Sequence, residues 1–159
     1  MGGGVRVNGS PASSGFDRRQ VTLRFRATFP SASDSVPRIV ARIVAAARKG
    51  GFLGEGRTDF EIALHEAIAN AVLHGNQADP SRSVRVRLYG QPGYGVVVAV
   101  RDQGRGFDPT AVPDPRQEDR IHLQHGRGLF LVRQLTDYVE HRKQGREIVF
   151  RKCIQQRPS

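Results

Sequence analysis

Polar and apolar residues alternate along VTLRFRATF (21–29), with Val21, Leu23 and Phe25 on one side and Thr22, Arg24 and Arg26 on the other. A period of two predicts a strand with one wetted face, ended by Pro30 and Ser31. The period then changes. From Ser35 to Lys49, Val36, Ile39, Val40, Ile43, Val44 and Ala47 share one helical stripe, and Gly50-Gly51 stops that helix. A second helix is predicted from Thr58 to about His74. Thr58 with Glu61 three residues on reads as a capping box, Gly75 as the C′ residue, and Phe60, Leu64, Ala67, Ile68 and Ala71 as the core face.

Two strands, 83–90 and 95–104, read as a hairpin across Gln91–Tyr94, whose turn holds Pro92-Gly93. Arg85 and Arg87 alternate with apolar neighbours and are expected to face solvent. Val96–Val100 is a nearly continuous apolar run, as in a central strand. Residues 108–125 carry three prolines and no period, which predicts a functional loop, read here as a lid. A short helix over 126–136 follows, and then a final hairpin, 138–143 and 146–153, turning at Gln144-Gly145. The order predicts an α+β fold: a two-layer α/β sandwich, with a mostly antiparallel mixed sheet and about three helices on one face.

Composition trims this picture. At 159 residues the chain is read as one domain over 21–153, with a lid at 108–125. The Gly- and Ser-rich residues 1–20 are expected to be a mobile tail, and 154–159 a second one. No continuous apolar stretch resembles a secretory signal or a membrane span. The lone Cys153 has no disulfide partner within the chain, which fits a reducing, cytoplasmic setting. The net charge is +10, and all basic residues but Lys49, Lys143 and Lys152 are arginine. They are scattered, with no dense basic run and no aromatic-interleaved motif for stacking bases. Direct nucleic-acid contact is therefore not expected, whereas an acidic protein partner or a phosphate ligand is compatible with the charge.

Three motifs carry chemistry. In HEAIANAVLHGN (65–76), Glu66, Asn70 and His74 stand four apart on one helix edge. The Asn70 amide oxygen suits Mg²⁺, which keeps several of its waters, and Glu66 could take a proton from an attacking hydroxyl. Asp102-Gln103-Gly104-Arg105-Gly106-Phe107 follows a buried strand. Asp102 can accept from an exocyclic amine, while Gly104 and Gly106 let a flat ring approach. Gly126-Arg127-Gly128-Leu129 opens a helix, whose free N–H groups suit a phosphate. Taken singly, each has a plain structural explanation: a solvated helix edge, a loop turn, a loop end. No P-loop, Rossmann fingerprint, H-E-x-x-H or EF-hand pattern is present.

In this order and spacing the three motifs resemble the N, G1 and G2 boxes of the GHKL ATPase superfamily, which includes gyrase, histidine kinases, heat-shock chaperones and mismatch-repair ATPases. The short chain and the wording of residues 65–76 are most similar to the anti-sigma-factor serine/threonine kinases, over about residues 21–153. The resemblance implies ATP and Mg²⁺ as cofactors and Glu66 as the general base. It implies Asn70 as the metal ligand, Asp102 on the adenine amine, and Gly104 and Gly106 shaping that pocket. Gly126, Arg127, Gly128 and Leu129 would close over the phosphates, beneath a lid at 108–125. His74 joins the nucleotide-binding set. The implied partners are an anti-anti-sigma (STAS) protein and a sigma factor, with a homodimer as the implied assembly. One departure stands out: the family often has Thr after the glycine of the last hairpin, where this chain has Arg146.

Four functions stay open on sequence grounds. They are a Mg-ATP-dependent protein kinase that sequesters a partner, a nucleotide-binding interaction module without phosphotransfer, a histidine-kinase catalytic domain acting in trans, and a basic nucleic-acid binder. Glu66 favours the first, because binding alone does not require a base.

Overall fold

The computed structural model describes residues 6–7 (backbone), 15–106 and 124–153, with the side chains of 124–127 outside the description. Six strands form one sheet: β1 (Arg6–Val7), β2 (Leu23–Pro30), β3 (Ser83–Gln91), β4 (Gly95–Arg101), β5 (Tyr138–Arg142) and β6 (Glu147–Lys152), in the order β1-β5-β6-β4-β3-β2. Every pairing among them is antiparallel, so the parallel pair implied by a mixed sheet is not found among the described residues. Three α-helices, α1 (Ser35–Lys49), α2 (Arg57–Asn70) and α3 (Gln124–Leu135), complete the α+β architecture.

The predicted helical stripe is the buried one. Val36, Ile39, Val40, Ile43, Val44 and Ala47 of α1 join Phe60, Leu64, Ala67, Ile68 and Ala71 in a single core, with Val86, Leu88, Val98, Val100 and Phe150 from the sheet. At 3.6 residues per turn these positions fall on one side of each helix, and at a period of two they fall on one face of each strand. Along β2 half-buried and exposed residues alternate without a break, which puts Arg24 and Arg26 on the outer face.

Helix α1 ends in a Schellman motif. The Phe52 N–H donates to the Ala47 carbonyl (2.8 Å) and the Gly51 N–H to that of Arg48 (3.0 Å). Gly51 has φ +80° with nothing near a notional Cβ, so its backbone angle alone calls for glycine. Phe52 is buried and packs where a Cβ on Gly90 would sit.

Three expectations are corrected. The capping box at Thr58 and Glu61 does not form: α2 begins at Arg57 behind a left-handed Gly56, without a side-chain cap. That helix also stops being α-helical at Asn70, where Ala71–Gly75 form a single π-helical turn. Nor is the segment 1–20 wholly a free tail. Arg6–Val7 pairs with β5, and a short 3₁₀ turn spans Arg18–Gln20. The buried Gln91 side chain holds the segment before that turn, accepting from the Asp17 N–H and donating to the Gly15 carbonyl, each at 2.8 Å. A Gly- and Ser-rich segment shows no apolar period, and the anchor here is a polar side chain on another strand.

Gly51→Ala is expected to destabilise the protein by about 1 kcal/mol, the cost of forcing an L-residue into the left-handed region. Urea unfolding of the two proteins measures it.

Candidate functional site: a cleft between the π-turn and the strand-end loop

The site begins with the π-turn. One residue more per turn re-aims the end of α2, and such turns recur at functional sites. The Asn76 N–H closes it onto the Ala71 carbonyl (2.9 Å). Fully buried, Asn76 then acts as a strut. Its Nδ2 donates to Ser31 Oγ (2.6 Å) and to the Ser83 carbonyl (2.9 Å), while its Oδ1 accepts from the Gln103 N–H (2.7 Å). The loop after β4 is thereby tied to the end of the helix.

That tie brings three residues into contact. A Cβ on Gly104 would collide with the Gly75 carbonyl, and one on Gly75 with the Asp102 carboxylate. Gly75 is therefore a close-approach glycine, not the helix cap its position predicted. Asp102 Oδ1 accepts from the Gly104 N–H (2.8 Å), and the Asp102 N–H donates to the Arg146 carbonyl (2.9 Å). Gly106, at φ +78°, lies so close to the Gln144 carbonyl that no side chain would fit. Arg146 thus stands beside Asp102 and Gly106, its Nη2 donating to Gln144 Oε1 (2.8 Å).

A cavity of about 240 Å³ opens here, and Asn70, His74, Gly75, Asp102, Arg105 and Gly106 are among its lining residues. A narrower cleft beside it is floored by Ala71, Val100, Leu129 and Ile148, and it too reaches Asn70, Asp102 and Arg146. The buried His141 lines the same cleft. Asn70 and Asp102 are common to the cavity and the cleft, and the Asp102 carboxylate can accept from an exocyclic amine. The apolar cleft holds only about 10 Å³, so a flat ring would occupy the larger, polar cavity unless that cleft opened. Burial pushes the Asp102 carboxyl above its ordinary value, against the Gly104 hydrogen bond and the nearby positive charges of Arg146, Arg101 and Arg82.

Helix α3 supplies the other end. It starts at Gln124, so Gly126, Arg127 and Gly128 lie within its first turns and do not precede it. The first N–H groups of a helix lack partners within it, here those of Gln124 to Gly126. The Arg127 side chain is outside the described residues, as are 108–123 of the expected lid; Gln124 and His125 belong to α3. Glu66 meets this helix, since a Cβ on Gly128 would lie 3.0 Å from Glu66 Oε2. Leu129 is 2% exposed, serving the core as well as the cleft floor. Asn70, His74, Asp102, Gly104, Gly106 and Leu129, spread over three segments of the sequence, therefore gather around the two clefts. Glu66 lines neither: it meets Gly128 and opens on a separate concavity with Pro37, Val40 and Ala41 of α1. Among the described residues no group of three His, Cys, Asp or Glu could hold a metal. A Mg²⁺ ion would rest on the Asn70 amide together with phosphate oxygens, as that ion prefers.

Sequence reasoning missed Asn76, His141 and the role of Gly75. Asn76 could have been found, because an Asn that directly follows the conspicuous His74-Gly75 pair is an obvious candidate for a buried strut.

A family model for the histidine kinase-like ATPase domain matches residues 29–152. The chain belongs to that family. Comparison with curated proteins gives no match. The histidine kinase-like ATPase domain here is thus an ATP-binding fold of GHKL type. No helix among the described residues is long and apolar enough to cross a membrane.

Asp102→Asn is expected to raise Tm near neutral pH, because the amide carries no desolvated charge, and to weaken ATP binding by about tenfold. The native carboxyl holds its proton more tightly than the unfolded one. Wild-type stability therefore falls as pH rises from the unfolded pKa through the raised native value, and the variant lacks that fall. Thermal melts across acid pH, with and without ATP, check both points. An unchanged or lower Tm in the variant would contradict this reading.

Proposed function

We propose that this domain is a Mg-ATP-dependent serine/threonine protein kinase and anti-sigma-type regulator, which sequesters a partner and phosphorylates an anti-anti-sigma (STAS) protein. The observation that carries this is the position of Glu66. Its carboxylate, half-buried and one turn before Asn70, sits against Gly128 near the head of α3. A negative charge there opposes phosphate binding, while the helix dipole and free N–H groups favour it. A site meant only to hold a nucleotide gains nothing from such a carboxylate; a site that must deprotonate a hydroxyl needs one.

When bound, ATP supplies the transferable γ-phosphoryl group and Mg²⁺ offsets its charge. The chain's own residues do the rest. Asp102 orients the base by accepting from its amine. Asn70 would hold the metal, and the N-terminus of α3 would steady the phosphates. Glu66 would take the proton from the partner's Ser or Thr hydroxyl as that oxygen bonds to the γ-phosphorus and the bond from phosphorus to the β,γ-bridging oxygen breaks, with ADP leaving. A cytoplasmic setting accords with this chemistry and with the lone Cys153.

Arg146 favours a second reading, an ATP-binding regulatory module without significant kinase activity. It stands beside Asp102, at a position where the family often has a Thr to help hold adenine.

Replacing Glu66 separates the two. Glu66→Gln is expected to keep or raise ATP affinity and to keep partner binding, while phosphotransfer to a STAS protein falls by about 10²–10⁴-fold, read by transfer of labelled phosphate. Undiminished transfer in the variant would remove Glu66 from its role. Absence of transfer in the wild type, with ATP still bound, would favour the module.

A further inference from the structure

The outer face of the sheet carries charge that the fold does not need. Strand register places Arg26 directly opposite Arg87, and Arg85 directly opposite Arg101. Like charges in directly opposed positions destabilise a sheet, so two such pairs on one face are a cost without a structural return. Carboxylates answer part of it: Glu147 pairs with Arg87 and Glu140 with Arg142, each at 2.7 Å. Among the described residues Arg18, Arg24, Arg26 and Arg151 form no ion pair, and all four line one concavity of about 470 Å³ on this face, together with the Glu140–Arg142 pair. Arg151 is engaged locally, its Nε and Nη2 donating to the Tyr94 carbonyl (3.2 and 3.1 Å). Arg24 Nη2 donates to the Arg18 carbonyl (3.1 Å), so Arg18, Arg26 and the rest of Arg24 make the open part of the concavity's rim. Its floor is apolar, with Val97, Ala99 and Val149 side by side across β4 and β6.

We infer that this concavity docks an acidic segment of a partner protein, one that alternates carboxylates with apolar side chains. The guanidinium rim would take the carboxylates in forked hydrogen bonds, and the valine-lined floor would take the apolar residues. A second copy of this chain fits poorly, because face-to-face packing would bring arginines against arginines. Single-stranded nucleic acid also fits less well. Binding of that kind relies on aromatic faces on which bases stack. Here Tyr94 and Tyr138 are buried, and the Tyr94 ring is flanked by the Arg151 guanidinium at 3.8 Å and by Phe16 at 5.4 Å. The other two rings of the concavity, Phe16 and Tyr89, are half-buried. The surface lies on the sheet face away from the helices and does not depend on what the nucleotide cleft does.

The test is fluorescence anisotropy of the full chain with a labelled peptide alternating glutamate and leucine. A lysine–leucine peptide and a labelled oligothymidylate serve as comparisons. Saturable binding of the acidic peptide is expected, weakening as salt screens the rim. The Arg24→Glu/Arg26→Glu double variant is expected to lose at least about tenfold in affinity. Its Tm should not fall, since the Arg26–Arg87 repulsion is relieved, and its ATP binding should be unchanged. Should that variant not fold, Arg26→Gln is expected to lose about threefold. The proposal is overturned if the acidic peptide fails to saturate, if the folded variants bind it as well as wild type, or if the oligothymidylate binds more tightly. It is equally overturned if sedimentation shows a dimer that the Arg26 substitutions dissociate.

Discussion

The site depends on a single close approach, in which the Gly75 carbonyl and the Asp102–Gly104 loop meet at a separation that excludes even a methyl group. Helix α2 carries Glu66 and Asn70, and the end of β4 carries Asp102. Without that contact the carboxylate and the amide would belong to separate surfaces. The π-turn at Ala71–Gly75 delivers Gly75 to the loop, and the buried Asn76 side chain keeps it there by bonding three segments at once. A fully satisfied buried amide fixes geometry because any other arrangement would leave its groups unpaired.

Around this contact the protein gives up stability in several places. Asp102 is held in a desolvated position that favours its neutral form. Gln77 and Ala78, just after the π-turn, and Lys143 and Gln144, in the turn that presses on Gly106, all have positive φ without being glycine. Strain of this kind persists only where the surroundings fix it, and it gathers at functional sites. The core between the helices and the sheet shows no such concession: its aliphatic residues are almost wholly buried along regular stripes. Rigid helices and strands hold the site, and the strain is confined to the connections that shape it.

Much of this was legible in the sequence. Each expected strand was found within a few residues: β2 and β3 because exposure on one face forces a period of two, and β4 because Val96–Val100 is a continuous apolar run. The helix 35–49 was found to the residue, since its stripe begins after a strand-ending Pro30-Ser31 and ends in Gly-Gly. Glu66, Asn70, Asp102 and Gly128 were picked out because their spacing is odd for a purely structural helix or loop. What stayed hidden depends on distant contacts. The π-turn has no periodic signature of its own, so residues 71–75 read as a continued α-helix. Gly75 looked like a cap because a sequence shows that a glycine is present, not what presses against it. Thr58 and Glu61 spelled a capping box that the left-handed Gly56 pre-empts. His141 sits at an ordinary strand position, and only the fold turns it toward the cleft. The paired arginines of the outer face were visible as alternation, but their opposition across strands needs the register.

The most direct test of the nucleotide cleft is to follow backbone amide resonances of the full chain while ATP is added, with and without Mg²⁺. Saturable, Mg-dependent shifts concentrated at Gly75, Asp102, Gly104, Gly106 and the first turns of α3 are expected. Absence of saturable shifts, or shifts centred on the outer sheet face with this cleft silent, would contradict a nucleotide site here.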